Sequence, residues 1–277
     1  MRETDEVLAE IAVLARARGK PMVLGLCGSQ GSGKSTLARH IKQHLSQHER
    51  CSVAVLSLDD LYLGSVQRVQ LAREVHPLLR TRGVPGTHDV PLGVKTMRDL
   101  LSASVTDITP IPRFDKSRDE PFPAEQWEEF RGAADIVLFE GWCVGALPQD
   151  ERALAEPVNE LEKEEDRDGR WRRYVNDQLQ GHYRELFGLI DRLVMLQAPG
   201  FEVVFEWRRQ QERELEASAR AKGGAHPAWK IMDDAELRRF IMHYERLTRH
   251  ILGEMPARAD VTIQLDDQRR ILAIRKR

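Results

Sequence analysis

One stretch, residues 22–48, restricts the possible folds more than any other part of this 277-residue chain. Residues 22–27 form a continuous apolar run, which is typical of a strand covered on both faces. The octapeptide Gly28-Ser29-Gln30-Gly31-Ser32-Gly33-Lys34-Ser35 follows and matches the phosphate-loop pattern G-x-x-x-x-G-K-[ST]. From Thr36 to His48 the pattern is helical. A strand, a glycine-rich turn and a helix in this order predict a phosphate-binding loop within an α/β fold.

The loop residues also explain how a nucleoside triphosphate is expected to bind. Glycines at 28, 31 and 33 allow positive φ, so that successive backbone N–H groups point at phosphate oxygens. The N-terminus of the helix that begins at Lys34 adds the positive end of its dipole. We expect Lys34 to reach the β- and γ-phosphates as a catalytic cation and the Ser35 hydroxyl to bind Mg²⁺. The predicted ATP site comprises residues 28–36.

Apolar runs along the chain predict the rest of the sheet. Buried strands are expected at 22–27, 52–58, 135–139, 193–196 and 261–265, with 271–274 as a candidate partner of the last one. Helical patterns between most of them, with long ones at 201–222 and 234–255, favour parallel pairing through right-handed crossovers. The prediction is a three-layer α/β/α P-loop NTPase fold with a mostly parallel five-stranded sheet. We expect a single domain over residues 1–277, with helical insertions at about 150–190 and 201–232. The highly charged stretch 150–170 is expected to be a solvated helix and loop.

Composition excludes several classes of protein. The 42 Lys and Arg residues against 44 Asp and Glu give a net charge of −2, which argues against a nucleic-acid partner. No apolar run approaches the length of a membrane span, and residues 1–6 are acidic rather than typical of a signal peptide. Cys27, Cys51 and Cys143 lie far apart, so buried thiols in a reducing cytoplasm are expected. The oligomeric state cannot be inferred from these patterns.

Two absences narrow the class of phosphate-loop protein. The chain contains neither the Asn-Lys-x-Asp motif that reads guanine nor an LSGGQ-like signature of transporter ATPases. A small-molecule kinase instead needs a carboxylate near the γ-phosphate, an acceptor site and cations that neutralise developing charge. Asp59 and Asp60 follow the second predicted strand, where the carboxyl ends of parallel strands gather ligands. Because neighbouring strand residues face opposite ways, only one of the two is expected to face the nucleotide, unless both belong to a turn.

Several motifs resemble the plant-type D-glycerate 3-kinase family, within the uridine kinase/phosphoribulokinase group of P-loop kinases. The matching segments are Ser57-Leu58-Asp59-Asp60-Leu61-Tyr62-Leu63, residues 76–89 with Arg82-Gly83-Val84-Pro85-Gly86-Thr87-His88-Asp89, Pro112-Arg113-Phe114-Asp115-Lys116, Phe139-Glu140-Gly141-Trp142 and Glu206-Trp207-Arg208. The resemblance spans about residues 21–274. It implies a kinase that uses ATP and Mg²⁺ and transfers the γ-phosphoryl group to a hydroxyl of D-glycerate.

The resemblance also suggests roles for the acidic residues. In the wider group the base is an Asp two or three residues before an aromatic residue, which Asp59 and Tyr62 match, with Asp60 as the reserve. Leu61 stands where the family usually has Phe, a difference that affects packing rather than chemistry. Glu140 occupies the place of a second acidic group and is expected to hold a Mg²⁺-bound water. A helix-capping glutamate is the alternative for Glu140.

Cations in two loop-rich segments are the candidates for binding the acceptor. They are Arg80, Arg82, His88, Arg113 and Lys116, and Asp60 and Tyr62 complete the expected substrate site. Arginine holds a carboxylate bidentately, which suits a small hydroxy acid. Surface ion pairs are the alternative for the arginines and the lysine. His88 has a separate alternative, which is to fix its loop by hydrogen bonds.

The helix predicted after Gly200 suggests a lid. Arg209, Arg213 and Arg220 project within about 40° of one another at 100° per residue, and Arg208 lies to one side. Arg208 is the expected nucleotide contact, because it falls in the family-like Trp-Arg pair. Interleaved glutamates make a salt-bridged solvent face the alternative.

The residues therefore predict a small-molecule kinase. The resemblance implies that it converts a small-molecule hydroxy acid, D-glycerate, to phosphoglycerate, with ADP as the second product. Two alternatives stay open at this point. One is a pantothenate- or nucleoside-type kinase, and the other is a non-catalytic ATP-binding regulatory protein. Which hydroxyl reacts and which residues contact adenine are not indicated by the sequence.

Overall fold

The computed structural model describes residues 2–18, 21–221 and 232–277. Its strands run as follows: β1 Met22–Gly28, β2 Val53–Ser57, β3 Ile108–Ile111, β4 Phe114–Asp115, β5 Glu120–Pro121, β6 Glu128–Arg131, β7 Ile136–Gly141, β8 Arg192–Gln197, β9 Val261–Leu265 and β10 Ile271–Lys276. Its α-helices are α1 Arg2–Arg18, α2 Lys34–His48, α3 Ser65–Glu74, α4 Val90–Ser102, α5 Glu160–Glu165, α6 Arg170–Gln180, α7 His182–Phe187, α8 Glu202–Ala221 and α9 Asp234–Glu254.

A six-stranded sheet in the order β10-β9-β8-β1-β7-β2 forms the middle layer. All pairings are parallel except that of β10, which runs antiparallel to β9. The five parallel strands are those predicted from the apolar runs, and the sixth is the candidate partner at 271–274. The prediction of a mostly parallel sheet is confirmed, with one antiparallel edge strand added to the five.

Helices cover both faces of the sheet, which gives the predicted three layers. Alternate residues of β1 point to opposite faces, so that Leu24 packs with α1 and α2 while Val23 packs with α4, α7 and α9. This explains why β1 is apolar at every position rather than at every second one. Because β1 lies between β8 and β7, its C-terminal end, where the phosphate loop starts, is near the middle of the sheet.

The segment after β2 differs from the prediction. The strand ends at Ser57, and Leu58–Leu61 form a turn of 3₁₀ helix rather than a continuation of the strand. The side chains of Asp59 and Asp60 therefore meet different neighbours because both residues lie in a 3₁₀ turn, not because strand residues alternate between two faces. The 112–116 segment, predicted as loop, carries the short strand β4, which pairs with β5, and β3 pairs with β6 alongside it.

The charged stretch 150–170 also departs from its expected solvated state. Glu162 and Asp166 are fully buried. Arg246 Nη2 lies 2.7 Å from Glu162 Oε2, and Arg172 Nη1 lies 2.9 Å from Asp166 Oδ2. Arg246, which is 84 positions from Glu162, and Arg172, which is six positions from Asp166, supply the counter-charges that make burial of these carboxylates tolerable. A run of charge alone could not reveal those partners.

The long helices, the cysteines and the apolar character of the helices complete the description of the fold. The predicted helices at 201–222 and 234–255 are confirmed as α8 and α9, whereas residues 222–231 of the predicted lid and the side chain of Arg220 lie outside the described residues. The three cysteines are buried and unpaired, as expected. Within the described ranges, no helix has the length and apolar character needed to cross a membrane.

Candidate active site

The phosphate loop joins β1 to α2 as predicted. Gly31 and Gly33 have φ of 75° and 90°, whereas Gly28 ends the strand without positive φ, which corrects the expectation for that residue. Gly28 is needed for space instead, because a Cβ there would lie 2.7 Å from Ser32 Oγ. Within the described part of the chain, the loop also holds buried polar atoms without a hydrogen-bond partner: Ser29 Oγ, the Gln30 amide and Ser32 Oγ. Unpartnered polar atoms in a glycine-rich turn fit an anionic ligand.

Lys34 and Ser35 are the first residues of α2, as the phosphate-loop pattern requires. No carboxylate of the described residues forms an ion pair with Lys34, which leaves its ammonium available to a phosphate. Ser35 and Thr36 are exposed at the mouth of the loop. The dipole of α2 points its positive end at the same place.

A carboxylate and two hydroxyls meet beside the loop. Ser35 Oγ donates to Glu140 Oε1 at 3.0 Å, and Ser57 Oγ donates to the same oxygen at 3.1 Å. Glu140 is the fifth residue of β7 and is buried, which excludes the helix-capping alternative. Its Oε2 is buried without a partner in the described residues. Hydroxyl and carboxylate oxygens with spare capacity are the donor set of Mg²⁺ sites, so these residues fit such an ion.

Asp59 is held by two neighbours in the 3₁₀ turn after β2. Tyr62 Oη donates to Asp59 Oδ1 at 2.9 Å, and Lys116 Nζ lies 2.6 Å from Asp59 Oδ2. Burial opposes the charge of this carboxylate, but Lys116 and then Lys34 outweigh it and hold the pKa of Asp59 well below its usual range. Asp59 is therefore an ionised, oriented acceptor of hydrogen bonds at neutral pH.

Asp60 has a different environment. Its Oδ2 accepts from Arg113 Nη1 at 3.0 Å, and its Oδ1 accepts from the Phe114 backbone N–H at 3.1 Å. Burial raises the pKa of Asp60, although the Phe114 amide and Arg113 act in the other direction. Both carboxylate oxygens are thus engaged in holding β4 against the 3₁₀ turn. Of the two aspartates, Asp59 has the geometry of the expected base.

The acceptor-binding cations do not all converge. Lys116 contacts Asp59, Arg113 contacts Asp60 and Glu128, and Arg82 pairs with Asp119. The Arg82 guanidinium lies 5.6 Å from the ring centroid of Phe114 and 6.0 Å from that of Tyr62, which places it against the Asp59 neighbourhood. Arg80 is exposed, and its backbone carbonyl rather than its side chain is engaged, by Arg68.

His88 lies against the same neighbourhood. Its ring stacks on Tyr62 with centroids 4.5 Å apart, and its Nδ1 is 2.5 Å from the hydroxyl of Tyr183. Burial lowers the pKa of His88 to about 3, although Asp59 acts in the other direction. The ring is therefore neutral at physiological pH.

Arg208, the expected nucleotide contact, is engaged within its own helix. It pairs with Glu212, donates to Gln211 Oε1 at 3.1 Å, and lies 5.9 Å from the ring centroid of Phe240. Arg209 pairs with Glu206 at 2.6 Å. These two arginines have the salt-bridged arrangement that the sequence left as an alternative.

Three residues that position the site were missed by sequence reasoning. Arg269 Nε donates to the Gly31 carbonyl at 2.5 Å, and Arg269 Nη2 donates to the Trp207 carbonyl at 3.2 Å, so the β9–β10 turn braces the phosphate loop. Buried Arg68 donates to the carbonyls of Leu63, Arg80 and Asp119 and fixes the acceptor segment. Ser57 is the one of these with a signal in the sequence, because it interrupts an otherwise apolar run two positions before Asp59.

Known proteins resemble the chain over nearly its whole length, although no family model matches it. The Schizosaccharomyces pombe protein "Uncharacterized kinase mug58" is 33% identical over 253 residues, covering 87% of this chain and 84% of that protein. The chloroplastic D-glycerate 3-kinase of Arabidopsis thaliana is 28% identical over 263 residues, covering 90% of this chain and 53% of the relative. The solved structure of D-glycerate 3-kinase from Cryptococcus neoformans var. grubii aligns over 100% of both chains, with a TM-score of 0.80 and 26% identity. The chain belongs to the D-glycerate 3-kinase-like family of P-loop kinases, which are phosphotransferases with an alcohol group as acceptor.

Proposed function

We propose that this protein transfers the γ-phosphoryl group of ATP to a hydroxyl of D-glycerate, giving phosphoglycerate and ADP. The observation that carries the proposal is the placement of Asp59. Its carboxylate is fixed by Tyr62 and Lys116 at the end of β2, and β7 alone separates β2 from the strand that leads into the phosphate loop. An oriented carboxylate two strands away from the strand that leads into the phosphate loop suits phosphoryl transfer to an alcohol.

The phosphate loop and its neighbours hold the nucleotide in this proposal. Backbone N–H groups of residues 28–36 receive the phosphates, and Lys34 compensates the charge of the β- and γ-phosphates. Ser35 and Glu140 would hold Mg²⁺, which would supply positive charge that neutralises the phosphates. Ser57 keeps the Glu140 carboxylate oriented by its hydrogen bond to Oε1.

Asp59 acts on the acceptor by position more than by basicity. Phosphoryl transfer has a loose transition state, so the acceptor proton leaves late and a weakly basic carboxylate suffices. Asp59 Oδ1 and Oδ2 are each fixed by one neighbour, and a carboxylate oxygen can accept a second hydrogen bond from the substrate hydroxyl. Lys116, paired to Asp59, balances the charge of the carboxylate before and after transfer.

The carboxylate of the acceptor is assigned to Arg82, with Arg113 and Lys116 nearby and Arg80 at the rim. Arg82 is paired to a partly exposed aspartate, Asp119, and lies over the Tyr62 and Phe114 rings. A guanidinium in this position can present a fork to a carboxylate while Asp119 holds its other edge. A nucleoside offers no carboxylate to this group.

We assign a lid function to residues 201–232, and we treat residues 1–277 as one domain in which 150–190 is a second insertion. Arg208 is the lid residue proposed to meet phosphate charge. Its present partner, Glu212, is four residues away on the same helix, so exchange of that partner for a phosphate requires only a side-chain movement.

The test is an ADP-release assay with Mg²⁺ and ATP over a panel of D-glycerate, L-glycerate, uridine, cytidine and pantothenate. We expect kcat/KM for D-glycerate to exceed that for each non-glycerate acceptor by about 100-fold or more. Uridine and cytidine offer no carboxylate to Arg82, and the carboxylate of pantothenate lies at the end of a much longer molecule. Faster turnover of uridine, cytidine or pantothenate would assign the chain to that type of kinase. ATP binding without any acceptor-dependent ADP release would indicate a regulatory protein instead.

A further inference from the structure

His88 has one ring nitrogen engaged and one free. Nδ1 lies 2.5 Å from Tyr183 Oη, whereas Nε2 is buried and has no hydrogen-bond partner among the described residues. His88 is only 5% exposed, so its ring is almost entirely covered by protein. A buried ring nitrogen without a partner is rare in folded proteins and calls for a ligand or an ordered water.

The surroundings of Tyr183 determine the direction of the hydrogen bond to His88. Tyr183 Oη accepts from the Gly86 backbone N–H at 3.0 Å. Tyr183 is fully buried, so its hydroxyl hydrogen must find an acceptor within the protein. His88 Nδ1 is the acceptor at hydrogen-bond distance. The neutral ring then carries its proton on Nε2.

We propose that Tyr183 is a positioning residue that holds His88 in the tautomer protonated on Nε2, so that His88 offers an uncharged N–H donor to an oxygen of the acceptor. This inference rests on the proposed phosphorylation of a small hydroxy acid. Its structural basis is the stacking of His88 on Tyr62, the residue whose hydroxyl fixes Asp59. The unpartnered Nε2 thus belongs to a ring that packs against the proposed acceptor site.

An uncharged donor suits this location better than a further cation. Lys116 already compensates Asp59, and another positive charge beside Asp59 would weaken the carboxylate as a hydrogen-bond acceptor for the substrate. A neutral N–H can bind a hydroxyl or carboxylate oxygen without that effect. It also disfavours acceptors that lack an oxygen at this point, because the buried donor would stay unpaired.

The Tyr183 hydroxyl links two distant parts of the chain. Tyr183 belongs to α7, whereas Gly86 and His88 belong to the segment between α3 and α4. Gly86 has φ of 98°, and a Cβ there would lie 2.5 Å from Tyr174 Cε1. The loop is therefore packed tightly on α6 and α7, which keeps His88 Nδ1 within hydrogen-bond distance of Tyr183 Oη.

The first test measures the tautomer directly. In ¹⁵N-labelled full-length protein, long-range ¹H–¹⁵N NMR spectra distinguish pyrrole-type from pyridine-type ring nitrogens, and His88→Gln identifies the His88 signals by their loss. We expect a pyrrole-type Nε2 and a pyridine-type Nδ1 in the wild type. We expect this pattern to change in Tyr183→Phe and to persist in Tyr174→Phe, the matched control from α6. A pyridine-type Nε2 in the wild type would overturn the proposal.

The second test measures kinetics on the acceptor that the wild type turns over best. Tyr183→Phe should raise the acceptor KM about tenfold, while kcat and the KM for ATP change less than about twofold, because the donor binds substrate and transition state alike. His88→Gln, which can place an amide N–H near the position of Nε2, should retain more activity than His88→Asn. Equal activity of these two variants, or an unchanged acceptor KM in Tyr183→Phe, would contradict the assigned role.

The two tests separate this inference from the proposed function. If glycerate is not turned over but the tautomer is as expected, the substrate assignment fails while the positioning of His88 stands. If glycerate is turned over and the tautomer is reversed, the proposed function stands and the inference about Tyr183 fails.

Discussion

At the scale of single residues, the candidate site depends on which neighbours two adjacent aspartates meet. Asp59 accepts hydrogen bonds from one hydroxyl and one ammonium, whereas Asp60 accepts them from a guanidinium and a backbone N–H and so holds β4 in place. The sequence narrowed the base to this pair but could not rank them by contacts. The family resemblance placed Asp59 first and Asp60 as the reserve. The contacts that distinguish the two come from residues 113–116, more than fifty positions away, so they required the tertiary structure.

Replacing Asp59 by Asn is expected to lower turnover by roughly 10²-fold or more, since a positioned carboxylate is lost. ATP affinity, measured by calorimetry, should stay near the wild-type value because no contact of the phosphate loop changes. Asp60→Asn should reduce turnover less, since an amide oxygen can still accept from Arg113 or Phe114. Near-wild-type turnover in Asp59→Asn would show that another group orients the acceptor.

The pH dependence follows from the lowered pKa of Asp59. Burial opposes its charge, but Lys116 and Lys34 dominate, so the carboxylate stays ionised throughout the range in which the enzyme is assayed. A folded-state pKa below the unfolded value of about 3.9 means that this group stabilises the fold above that pH. The contribution is lost as pH falls through the folded-state value.

We therefore expect kcat/KM for the acceptor to show no inflection from Asp59 between pH 5 and 8. Neutral His88, with a pKa of about 3, should add none either. A pH–rate profile of the wild type from pH 5 to 8 checks both statements. An inflection in this range that disappears in His88→Gln would contradict the neutral state of His88.

At the scale of elements, the strand–loop–helix unit was predictable because its signals are local. A continuous apolar run, a glycine-rich octapeptide and a helical pattern lie within residues 22–48. The brace on this unit was not predictable, because Arg269 reaches Gly31 across 238 positions of the chain. The same holds for the burial of Glu162, whose partner Arg246 comes from α9, 84 positions away.

The brace gives a prediction for the phosphate loop. Arg269→Ala should raise the KM for ATP about tenfold, the scale of one hydrogen bond from a charged group, because the Gly31 carbonyl loses its fixed partner. Arg270→Ala is the matched control, since Arg270 is exposed and pairs with Asp266 at 2.6 Å. Equal KM values for ATP in the two variants would show that Arg269 does not stabilise the phosphate loop.

At the scale of the whole molecule, a net charge of −2 conceals an uneven arrangement of cations. Lys34, Arg82 and Lys116 occur around one end of the sheet, with the carboxylates of Asp59 and Glu140 between them. The fold class and the placement of acidic residues near the ends of β2 and β7 were predictable from strand patterns, although Glu140 was expected after a strand at 135–139 and lies within β7. The resemblance implied D-glycerate as the acceptor, whereas the residues alone indicated only a small-molecule kinase, because the acceptor site depends on how segments 80–89 and 112–116 meet in space.

The central claim is γ-phosphoryl transfer to glycerate, and ³¹P NMR of the reaction mixture tests it most directly. With the wild-type protein, ATP, Mg²⁺ and D-glycerate, we predict a new phosphomonoester signal of phosphoglycerate that grows as the ATP γ-phosphate signal falls. Chelation of Mg²⁺ or use of Asp59→Asn should suppress both changes. A γ-phosphate signal that falls only to give inorganic phosphate, or that does not fall at all, would contradict the account.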